Sequence, residues 1–308
     1  MADKIATRQA YGEVLVELGK EYEELVVMDA DLSGSTKTSM FAKEFPDRFL
    51  NMGIAEQNLY AQAAGLALSG KKVCASTFAM FATGRAYEIV RNSIGYTQAN
   101  VKICATHAGI TVGEDGASHQ TFEDISLMRN IPGMTVISPS DAVAAKKLIR
   151  QAVEMDGPCY LRLGRAAVPV FYDESADITL GKGNLVRDGK DLTIIATGIM
   201  VSAAVEAADK LMADGIDAKI IDIHTIKPID EDIIIKAAKE TGKIVTAEEH
   251  SIIGGLGDAV AQVVVRNHPV PMAMIGQKDV YGESGKPDEL LKKYGMTADD
   301  IVNAAKGL

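Results

Sequence analysis

The sequence of 308 residues has no tryptophan, an aromatic content of only 5% and only three cysteines. Cys74, Cys104 and Cys159 lie far apart, each in a strand-like apolar run, and no Cys-x-x-Cys pair occurs. Zinc sites and disulfide frameworks are built from closely spaced or paired cysteines. We therefore expect no metal ligands in this chain, and we expect reduced, buried thiols in a cytoplasmic protein.

Basic residues are also fewer than acidic residues. The chain has 32 Lys and Arg residues against 42 Asp and Glu residues, which gives a formal net charge of −10. Nucleic acids and anionic membrane surfaces attract proteins with a surplus of basic residues, so we expect neither as a partner. No apolar run approaches the roughly 18 residues of a membrane-spanning helix. Residues 1–4 lead directly into a predicted amphipathic helix at 4–19, which argues against a signal peptide.

What the chain does have is a regular alternation of short apolar segments with helical patterns of roughly 10–15 residues. This alternation predicts βαβ units, and we expect an α/β fold with two doubly wound domains and mainly parallel sheets. The first domain is predicted at 1–165 and a smaller second domain at 191–308. Residues 166–190 show no periodicity and are interpreted as a linker crossing the surface. A continuous helix is predicted at 82–95.

The segment from Asn51 to Gly70 is where function is first expected. An apolar strand ends at Met52, Gly53 turns the chain, and Glu56 lies in the first turn of the next helix. Open α/β sheets place ligand-contacting groups at this position, just past the carboxyl end of a strand. Alternatively, a first-turn acid only complements the helix dipole, and the spacing alone favours that simpler interpretation.

Further candidates follow other predicted strands. Asp31, Phe78 and His107 lie at strand carboxyl ends, and His107 and His119 flank a long polar loop. Polar loops on a rigid scaffold often carry function. The twelve-residue gap between the two histidines matches no standard metal-ligand spacing, so no metal site is expected there.

Together these segments resemble the transketolase family. The matching motifs, in chain order, are Gly53-Ile54-Ala55-Glu56-Gln57, Ser76-Thr77-Phe78-Ala79-Met80-Phe81, Ala105-Thr106-His107-Ala108-Gly109, Val112-Gly113-Glu114-Asp115-Gly116-Ala117-Ser118-His119-Gln120 and Ile137-Ser138-Pro139-Ser140-Asp141. The resemblance covers nearly the whole chain, but it corresponds only to the carboxyl-terminal half of a full-length transketolase. It implies a pyrimidine-binding domain followed by the transketolase C-terminal domain.

The resemblance implies thiamine diphosphate as the cofactor. A glutamate placed like Glu56 keeps its proton in an apolar pocket and donates a hydrogen bond to the aminopyrimidine ring of the cofactor. Met52 and Ile54 are the apolar neighbours that would line this pocket. Phe81 and Phe78 match aromatic residues that lie beside this ring in the family. Asp31 matches an acid near the cofactor.

For the substrate, the resemblance implies a sugar-phosphate site. It assigns phosphate binding to Arg8, Ser35 and Arg165. It assigns contacts with the sugar hydroxyls and carbonyl to His107, Asp115 and His119. Arginine forks with a hydroxyl suit a dianion, and histidines suit proton transfer near neutral pH. The candidate catalytic residues are therefore Glu56, His107 and His119.

One motif of the family is missing. Transketolases hold the cofactor's diphosphate through a divalent metal, Mg²⁺ or Ca²⁺, using Gly-Asp-Gly followed roughly 25–30 residues later by Asn. No Gly-Asp-Gly occurs in this chain. We therefore expect a separate N-terminal subunit that carries this motif, and an α2β2 assembly with active sites at subunit interfaces. The implied function is the C-terminal subunit of a two-chain transketolase of the pentose phosphate pathway, which moves a two-carbon ketol unit from a ketose phosphate to an aldose phosphate.

Three alternatives stay open. Ile54-Ala55-Glu56-Gln57 also occurs in deoxyxylulose-phosphate synthases, although these generally have an acid in place of His107. The β subunits of 2-oxoacid dehydrogenases share the architecture but lack the loop with two histidines. A noncatalytic subunit that retains the fold is the third alternative.

The second domain shows less evident chemistry. Glu248-Glu249-His250 lies at a predicted strand end, and the resemblance implies a role in assembly and packing for it. His224 and His268 are interpreted as structural residues.

Overall fold

The computed structural model describes residues 3–308, so residues 1 and 2, on which the expectation about a signal peptide partly rests, lie outside the described residues. The strands are β1 (Lys4–Ala6), β2 (Leu25–Asp29), β3 (Phe49–Asn51), β4 (Lys72–Phe78), β5 (Val101–Thr106), β6 (Thr135–Ile137), β7 (Cys159–Arg162), β8 (Ala167–Pro169), β9 (Asn184–Arg187), β10 (Leu192–Ala196), β11 (Ala218–Asp222), β12 (Thr225–Lys227), β13 (Ile244–Ser251) and β14 (Met272–Gln277). The α-helices are α1 (Thr7–Glu21), α2 (Ser33–Thr36), α3 (Ser39–Glu44), α4 (Glu56–Leu68), α5 (Tyr87–Ile89), α6 (Asp124–Arg129), α7 (Ala142–Glu154), α8 (Met200–Ala213), α9 (Glu231–Thr241), α10 (Leu256–Asn267), α11 (Pro287–Lys293) and α12 (Ala298–Lys306). None of these helices, all within residues 3–308, has both the length and the hydropathy of a bilayer-spanning segment.

The strands form two main sheets. The first has the order β12-β6-β7-β5-β4-β2-β3, with parallel neighbours except for the antiparallel edge strand β12. The second has the order β14-β13-β10-β11-β9, with β9 as its antiparallel edge strand. We call the first sheet and its helices the first domain, and the second sheet and its helices the second domain. The predicted α/β class with mainly parallel sheets is confirmed.

The central strands are buried because helices cover both faces of each sheet. All five residues of β2 are buried, and they alternate between two apolar clusters. Leu25 and Val27 pack with residues of α1 and α7, whereas Val26 and Met28 pack on the opposite face with residues of α4. A strand that is buried on both faces reads as a continuous apolar run, which is why β2 was visible in the sequence.

Two local predictions in the first domain were wrong in detail. The predicted helix at 4–19 begins at Thr7, because Ile5 belongs to β1 and pairs with Val168 of β8. The predicted helix at 82–95 consists of two π-helical segments, Phe81–Arg85 and Val90–Tyr96, separated by the single α-turn α5. In the first π-helical segment the hydroxyl of Thr83 donates to the carbonyl of Ala79, a back-bond that bends helices.

The two domains are joined more closely than a surface linker implies. The predicted linker at 166–190 contains β8, which pairs with β1, and β9, which pairs with β11. In addition, β12 follows β11 in the chain but adds to the edge of the first sheet, where Thr225 pairs with Ile137. One apolar cluster runs from the first sheet to α9 and α10 of the second domain. Strand pairing and a shared apolar cluster therefore hold the second domain against the first domain and its loops.

Candidate active site

The candidate residues meet at one edge of the first sheet. Strands β7, β5, β4, β2 and β3 are consecutive parallel neighbours, so their carboxyl ends share this edge. The residues at or just after these ends are Arg165, His107, Phe78, Asp31 and Glu56. This is the position at which parallel α/β sheets bind ligands. The sequence prediction that strand carboxyl ends bring the candidates to one edge agrees with this topology.

His107 occupies the centre of the edge. It directly follows β5, is only 2% exposed, and adopts the left-handed backbone conformation with a φ of 58°. Its imidazole stacks on the ring of Phe78, with ring centroids 3.9 Å apart and an interplanar angle of 24°. A non-glycine residue in this conformation persists only where its surroundings hold it, and such residues concentrate at functional sites.

The hydrogen bonds of His107 define its protonation. Nη1 of Arg8 lies 3.4 Å from Nε2, and Oγ1 of Thr106 lies 2.9 Å from Nδ1. A guanidinium can only donate, so Nε2 must be the acceptor and Nδ1 carries the proton, which it donates to Thr106. Burial first, and then the charges of Arg8, Arg165 and His119, lower the pKa of His107 to about 3. The imidazole is therefore neutral, with its lone pair turned to the arginine side.

Arg8 and Arg165 bring two positive charges to the same side of His107. Nη1 of Arg8 donates to the carbonyl of Ser35 at 2.7 Å, while its buried Nε has no partner among residues 3–308. Burial and then the charge of Arg165 lower the pKa of Arg8. Arg165 donates to the carbonyl of Val112 and pairs with the exposed Glu114 at 2.9 Å. Two repelling guanidiniums with an unused donor form a site for an anion.

Aromatic rings line the wall beside His107. Phe78 and Phe81 lie nearly parallel, with centroids 6.2 Å apart and an interplanar angle of 14°. The ring of His119 meets Phe81 edge-on at 5.4 Å, and Nδ1 of His119 lies 3.0 Å from the hydroxyl of Ser118. The structure thus brings four of the candidate residues, His107, His119, Phe78 and Phe81, into one cluster. Flat aromatic faces of this kind suit stacking with a planar ring.

Glu56 lies at the other end of the edge. It is the first residue of α4 and only 5% exposed, and its carboxyl has no hydrogen-bond partner among residues 3–308. Tyr60, one turn further along α4, is fully buried, and its hydroxyl also lacks a partner in this range. Burial raises the pKa of Tyr60 well above its usual value, so its hydroxyl remains a donor. Because the carboxyl oxygens of Glu56 make no hydrogen bond within residues 3–308 and are not among the fully enclosed unpaired atoms, they stay open to a ligand, in addition to any helix-dipole role.

The expected apolar pocket around Glu56 is only partly present in this chain. Met52 is half-buried and packs against the core, but the side chain of Ile54 is 83% exposed. Ile54 lies on the outward side of the turn before α4, so its expected place in the pocket wall is not formed within the single chain. The role of Ile54 stays a prediction for an assembly with another molecule.

Two predicted residues stand apart from the central cluster. Asp31 is exposed, has a φ of 65°, and exchanges two 3.1 Å hydrogen bonds with the side chain of Asn51. Asp115 is exposed at the end of the 3₁₀ segment Ile110–Asp115, and its carboxyl has no hydrogen-bond partner within the described chain. Neither residue touches the His107 cluster directly, although both face the same edge of the sheet.

Glu56 and His107 follow different strands of this edge. Three strand spacings of about 4.8 Å, roughly 14 Å in all, separate the backbone of β5, which precedes His107, from that of β3, which precedes Glu56.

Sequence reasoning missed three residues that shape this site. Thr106 accepts the Nδ1 proton of His107, Asn51 holds Asp31, and Glu249 of the second domain contacts the loop after His107. Thr106 lies within one of the quoted motifs, and Asn51 begins the segment that contains Glu56, so the sequence pointed to both positions but not to their contacts. Glu249 was recognised only as part of a strand-end cluster and was assigned to packing.

Comparison with known families identifies the chain. The family model described as "Transketolase, pyrimidine binding domain" matches residues 3–170, and the model described as "Transketolase, C-terminal domain" matches residues 181–301. This chain belongs to the transketolase family. The predicted family and both predicted types of domain are confirmed.

Individual relatives show which part of a transketolase this is. A Methanocaldococcus jannaschii protein named "Putative transketolase C-terminal section" is 57% identical over 96% of this chain and 93% of its own length. A Clostridium sp. protein named "6-deoxy-6-sulfo-D-fructose transketolase subunit SqwH" is 42% identical over 97% of this chain and 92% of its own length. A structure described as "Split gene transketolase, inactive beta4 tetramer" is 54% identical, with a TM-score of 0.93 and 98% of both chains covered.

Full-length transketolases are about twice as long as this chain. The transketolase of Mus musculus is 39% identical over all of this chain, which spans 50% of that protein. Together with the relatives above, this shows that the chain corresponds to the C-terminal section of a transketolase, as the motif pattern predicted.

Transketolases depend on thiamine diphosphate, and the residues present fit part of that cofactor. The nearly buried side chain of Glu56, whose carboxyl makes no hydrogen bond in the described chain, and the parallel rings of Phe78 and Phe81 suit a flat pyrimidine that carries hydrogen-bonding groups. No group of three His, Cys, Asp or Glu side chains in residues 3–308 is placed to hold a metal ion.

Proposed function

We propose that this chain is the C-terminal subunit of a two-chain transketolase that transfers a two-carbon ketol unit from a ketose phosphate to an aldose phosphate. The observation that carries the proposal is the nearly buried side chain of Glu56, whose carboxyl makes no hydrogen bond within residues 3–308, on the same sheet edge as the neutral His107. Such an arrangement has an unmet hydrogen-bonding need at one end and proton-transfer groups at the other.

The cofactor supplies the nucleophilic carbon and the electron sink for the transferred unit when it is bound. Glu56 hydrogen-bonds the pyrimidine ring, Phe81 and Phe78 flank it, and Asp31 with its partner Asn51 borders the cofactor. The carboxylate of Asp31 is already oriented by Asn51, so it presents a defined acceptor. These residues bind and orient the cofactor, while the rings exclude water from its reactive side.

His107 acts at the sugar. Its Nδ1 proton is committed to Thr106, and its Nε2 lone pair faces Arg8. A sugar phosphate that engages Arg8 and Arg165 neutralises the two charges that depress the pKa of His107, and the imidazole becomes a stronger base. Nε2 can then accept a proton from a substrate hydroxyl and return it. His119, edge-on to Phe81, serves the same reaction from the opposite wall, and Asp115 contacts a sugar hydroxyl.

The phosphate of the sugar is held by Arg8, Ser35 and Arg165. Arg8 is anchored through the carbonyl of Ser35, so its unused Nε–H remains available to the ligand. Arg165 exchanges its contact with the exposed Glu114 for one with the phosphate, because a dianion competes well with a single, solvated carboxylate.

Activity requires a separate N-terminal subunit with the Gly-Asp-Gly…Asn motif, which binds the diphosphate through Mg²⁺ or Ca²⁺. This chain has no such motif, and the 54%-identical protein is described as inactive in its beta4 form. The exposed side chain of Ile54 beside Glu56 is suited to burial against that partner. The proposed complex is an α2β2 heterotetramer. A cytoplasmic location and a place in the pentose phosphate pathway complete the proposal, since the three free cysteines suit a reducing compartment.

The decisive experiment reconstitutes the complex with an N-terminal subunit, thiamine diphosphate and Mg²⁺. Glu56→Gln should lower kcat by about 10²- to 10⁴-fold, the usual contribution of acid–base chemistry. Glu231→Gln is the matched control, because Glu231 is also a first-turn acid but lies on α9, away from the site. Equal activity of both variants would mean that Glu56 acts only on the helix dipole, and turnover by this chain alone would contradict the two-chain proposal.

Donor analysis separates the proposal from its nearest alternative. Xylulose 5-phosphate should serve as donor and pyruvate should not, whereas a deoxyxylulose-phosphate synthase requires pyruvate. The loop with His107 and His119 supports the first outcome, because an imidazole rather than an acid faces Arg8. Product formation from pyruvate would reassign the function.

A further inference from the structure

The loop from His107 to Gln120 lies against the second domain. Nε2 of Gln120 donates to the carbonyl of Glu283 at 2.9 Å. A Cβ atom at Gly116 would collide with the hydroxyl of Ser284 and lie 3.3 Å from its backbone nitrogen, so the loop lies close to Ser284 at this point. The loop that carries the proposed sugar-binding residues is therefore supported from outside its own domain.

The closest support is the side chain of Glu249. Glu249 lies on β13 and is only 3% exposed, and its Oε1 accepts a hydrogen bond from the backbone N–H of Thr111 at 2.7 Å. A Cβ atom at Gly109 would collide with the Glu249 carboxyl, and Gly109 has a φ of 78°. The Glu249 carboxyl thus lies against the loop backbone at Gly109 and Thr111, two and four residues after His107.

The Glu249 carboxyl is itself held in place. Nη2 of Arg162 donates to the backbone carbonyl of Glu249 at 2.8 Å, and Nη1 of Arg162 lies 4.0 Å from its Oε2. Arg162 is bound in turn by Asp124 through a 2.7 Å ion pair. These groups are at most 6% exposed, so the arrangement is shielded from water. Because the Glu249 carboxyl is fixed and accepts from the backbone N–H of Thr111, it can determine the path of the loop.

We propose that Glu249 is a positioning residue of the active site, through which the second domain fixes the loop that carries His107 and Asp115. The proposal rests on the proposed function of those two residues. It gives the second domain a role in substrate binding, beyond packing. Without the acceptor, the buried N–H of Thr111 is left unpaired, and the loop relaxes away from the geometry that orients His107.

The neighbouring Glu248 provides a matched control. It lies on the same strand and is only 1% exposed, but its carboxyl accepts from the N–H groups of Leu256 and Gly257 at 2.7 and 2.8 Å. It therefore caps α10 and does not contact the loop. Loss of Glu248 should weaken the second domain generally, whereas loss of Glu249 should act on the loop.

The first test is hydrogen exchange on the full chain, which needs neither partner nor activity. Glu249→Met keeps the length of the side chain but removes the acceptor, and Glu249→Gln keeps both. Glu249→Met should speed amide exchange in the loop around Thr111 by about tenfold or more, with Glu249→Gln close to wild type. Glu248→Met should speed exchange at the start of α10 and leave the loop unchanged.

The second test uses the reconstituted complex. Glu249→Met should lower kcat/KM for the sugar phosphate by about 10- to 100-fold, the usual effect of removing a supporting hydrogen bond. The affinity for thiamine diphosphate should stay unchanged, and Glu249→Gln should restore most of kcat/KM. A purely structural role predicts equal losses for Glu248→Met and Glu249→Met.

Each outcome decides the proposal. If Glu249→Met leaves loop exchange at the wild-type rate, or if Glu248→Met loosens the loop equally, Glu249 does not position the loop. Should Glu249→Met fail to fold, Glu249→Asp replaces it, since the shorter side chain withdraws the acceptor from the N–H of Thr111, and unchanged loop exchange in that variant overturns the proposal. A complex with no transketolase activity would overturn the proposed function, while the exchange result would still stand for the loop.

Discussion

The imidazole of His107 lies flat on the ring of Phe78, with centroids 3.9 Å apart, while Arg8 approaches its Nε2 atom at 3.4 Å. The stack removes water from one face of the imidazole, and the guanidinium places a positive charge at its edge. Both effects disfavour a second proton on the ring. Burial is the main reason that His107 stays neutral, and the arginine that is proposed to bind the substrate adds to this effect, which links the two functions.

The first prediction concerns this link. Arg8→Gln should raise the pKa of His107 from about 3, by on the order of one unit, because it removes the largest charge contribution to the shift. The pKa should remain below 6.5, since burial, the main cause, persists. NMR titration of ¹³C-labelled histidine in the full chain measures this. Arg187→Gln, which breaks a surface pair with Asp209, is the control and should change nothing.

The second prediction concerns the sugar phosphate. Arg165→Gln should raise KM for a phosphorylated substrate by about 10- to 100-fold, since a hydrogen bond to a charged group contributes about 1.5–3 kcal/mol. The effect on kcat should be smaller. The same variant should hardly change the reaction of an unphosphorylated sugar, and similar losses with both sugars would place Arg165 outside the phosphate site.

The third prediction concerns the aromatic wall. Phe81→Ala should weaken thiamine diphosphate binding by the reconstituted complex about tenfold, because aromatic pairs contribute about 0.5–1.5 kcal/mol beyond their burial. Isothermal titration measures the Kd. Phe171→Ala removes another half-buried ring, which packs beside Tyr172 in the connection between the domains. An equal loss of affinity in both variants would point to general destabilisation.

The fourth prediction concerns pH and stability. Asp222 is fully buried at the end of β11, where it accepts from the hydroxyls of Ser140 and Tyr172, and burial raises its pKa to about 7. Between about pH 4 and 7 the folded chain therefore holds a proton that the unfolded chain has released. The bound proton on Asp222 stabilises the folded chain at low pH, and this stabilisation is lost as the pH rises through 7.

Asp222→Asn removes that dependence. The free energy of unfolding of Asp222→Asn minus that of the wild type should be higher at pH 8 than at pH 5, by on the order of 2–3 kcal/mol, at about 1.4 kcal/mol per pKa unit. Urea unfolding at both pH values measures the difference. Asp209→Asn, at an exposed position, should show no such change, and a parallel pH dependence of Asp222→Asn and wild type would contradict the assignment.

Much of the fold was predictable because it is local. The apolar runs of β2 and β5 and the turn at Gly53 are properties of short segments, and they place Glu56 and His107 after strands. Parallel strands bring their carboxyl ends to one edge, so the shared site followed from the order of the elements. The family motifs added the roles of the individual residues.

Sequence alone thus determined the α/β alternation, the candidate residues and the missing diphosphate motif. Tertiary structure alone decided that Ile5 joins a strand, that Ile54 faces outward and that β12 joins the first sheet. It also decided that Glu249 meets Thr111 across 138 residues of chain. The physical reason is range: periodicity and turn chemistry act over a few residues, whereas burial, register and the partner of a polar group depend on which distant segment packs against them.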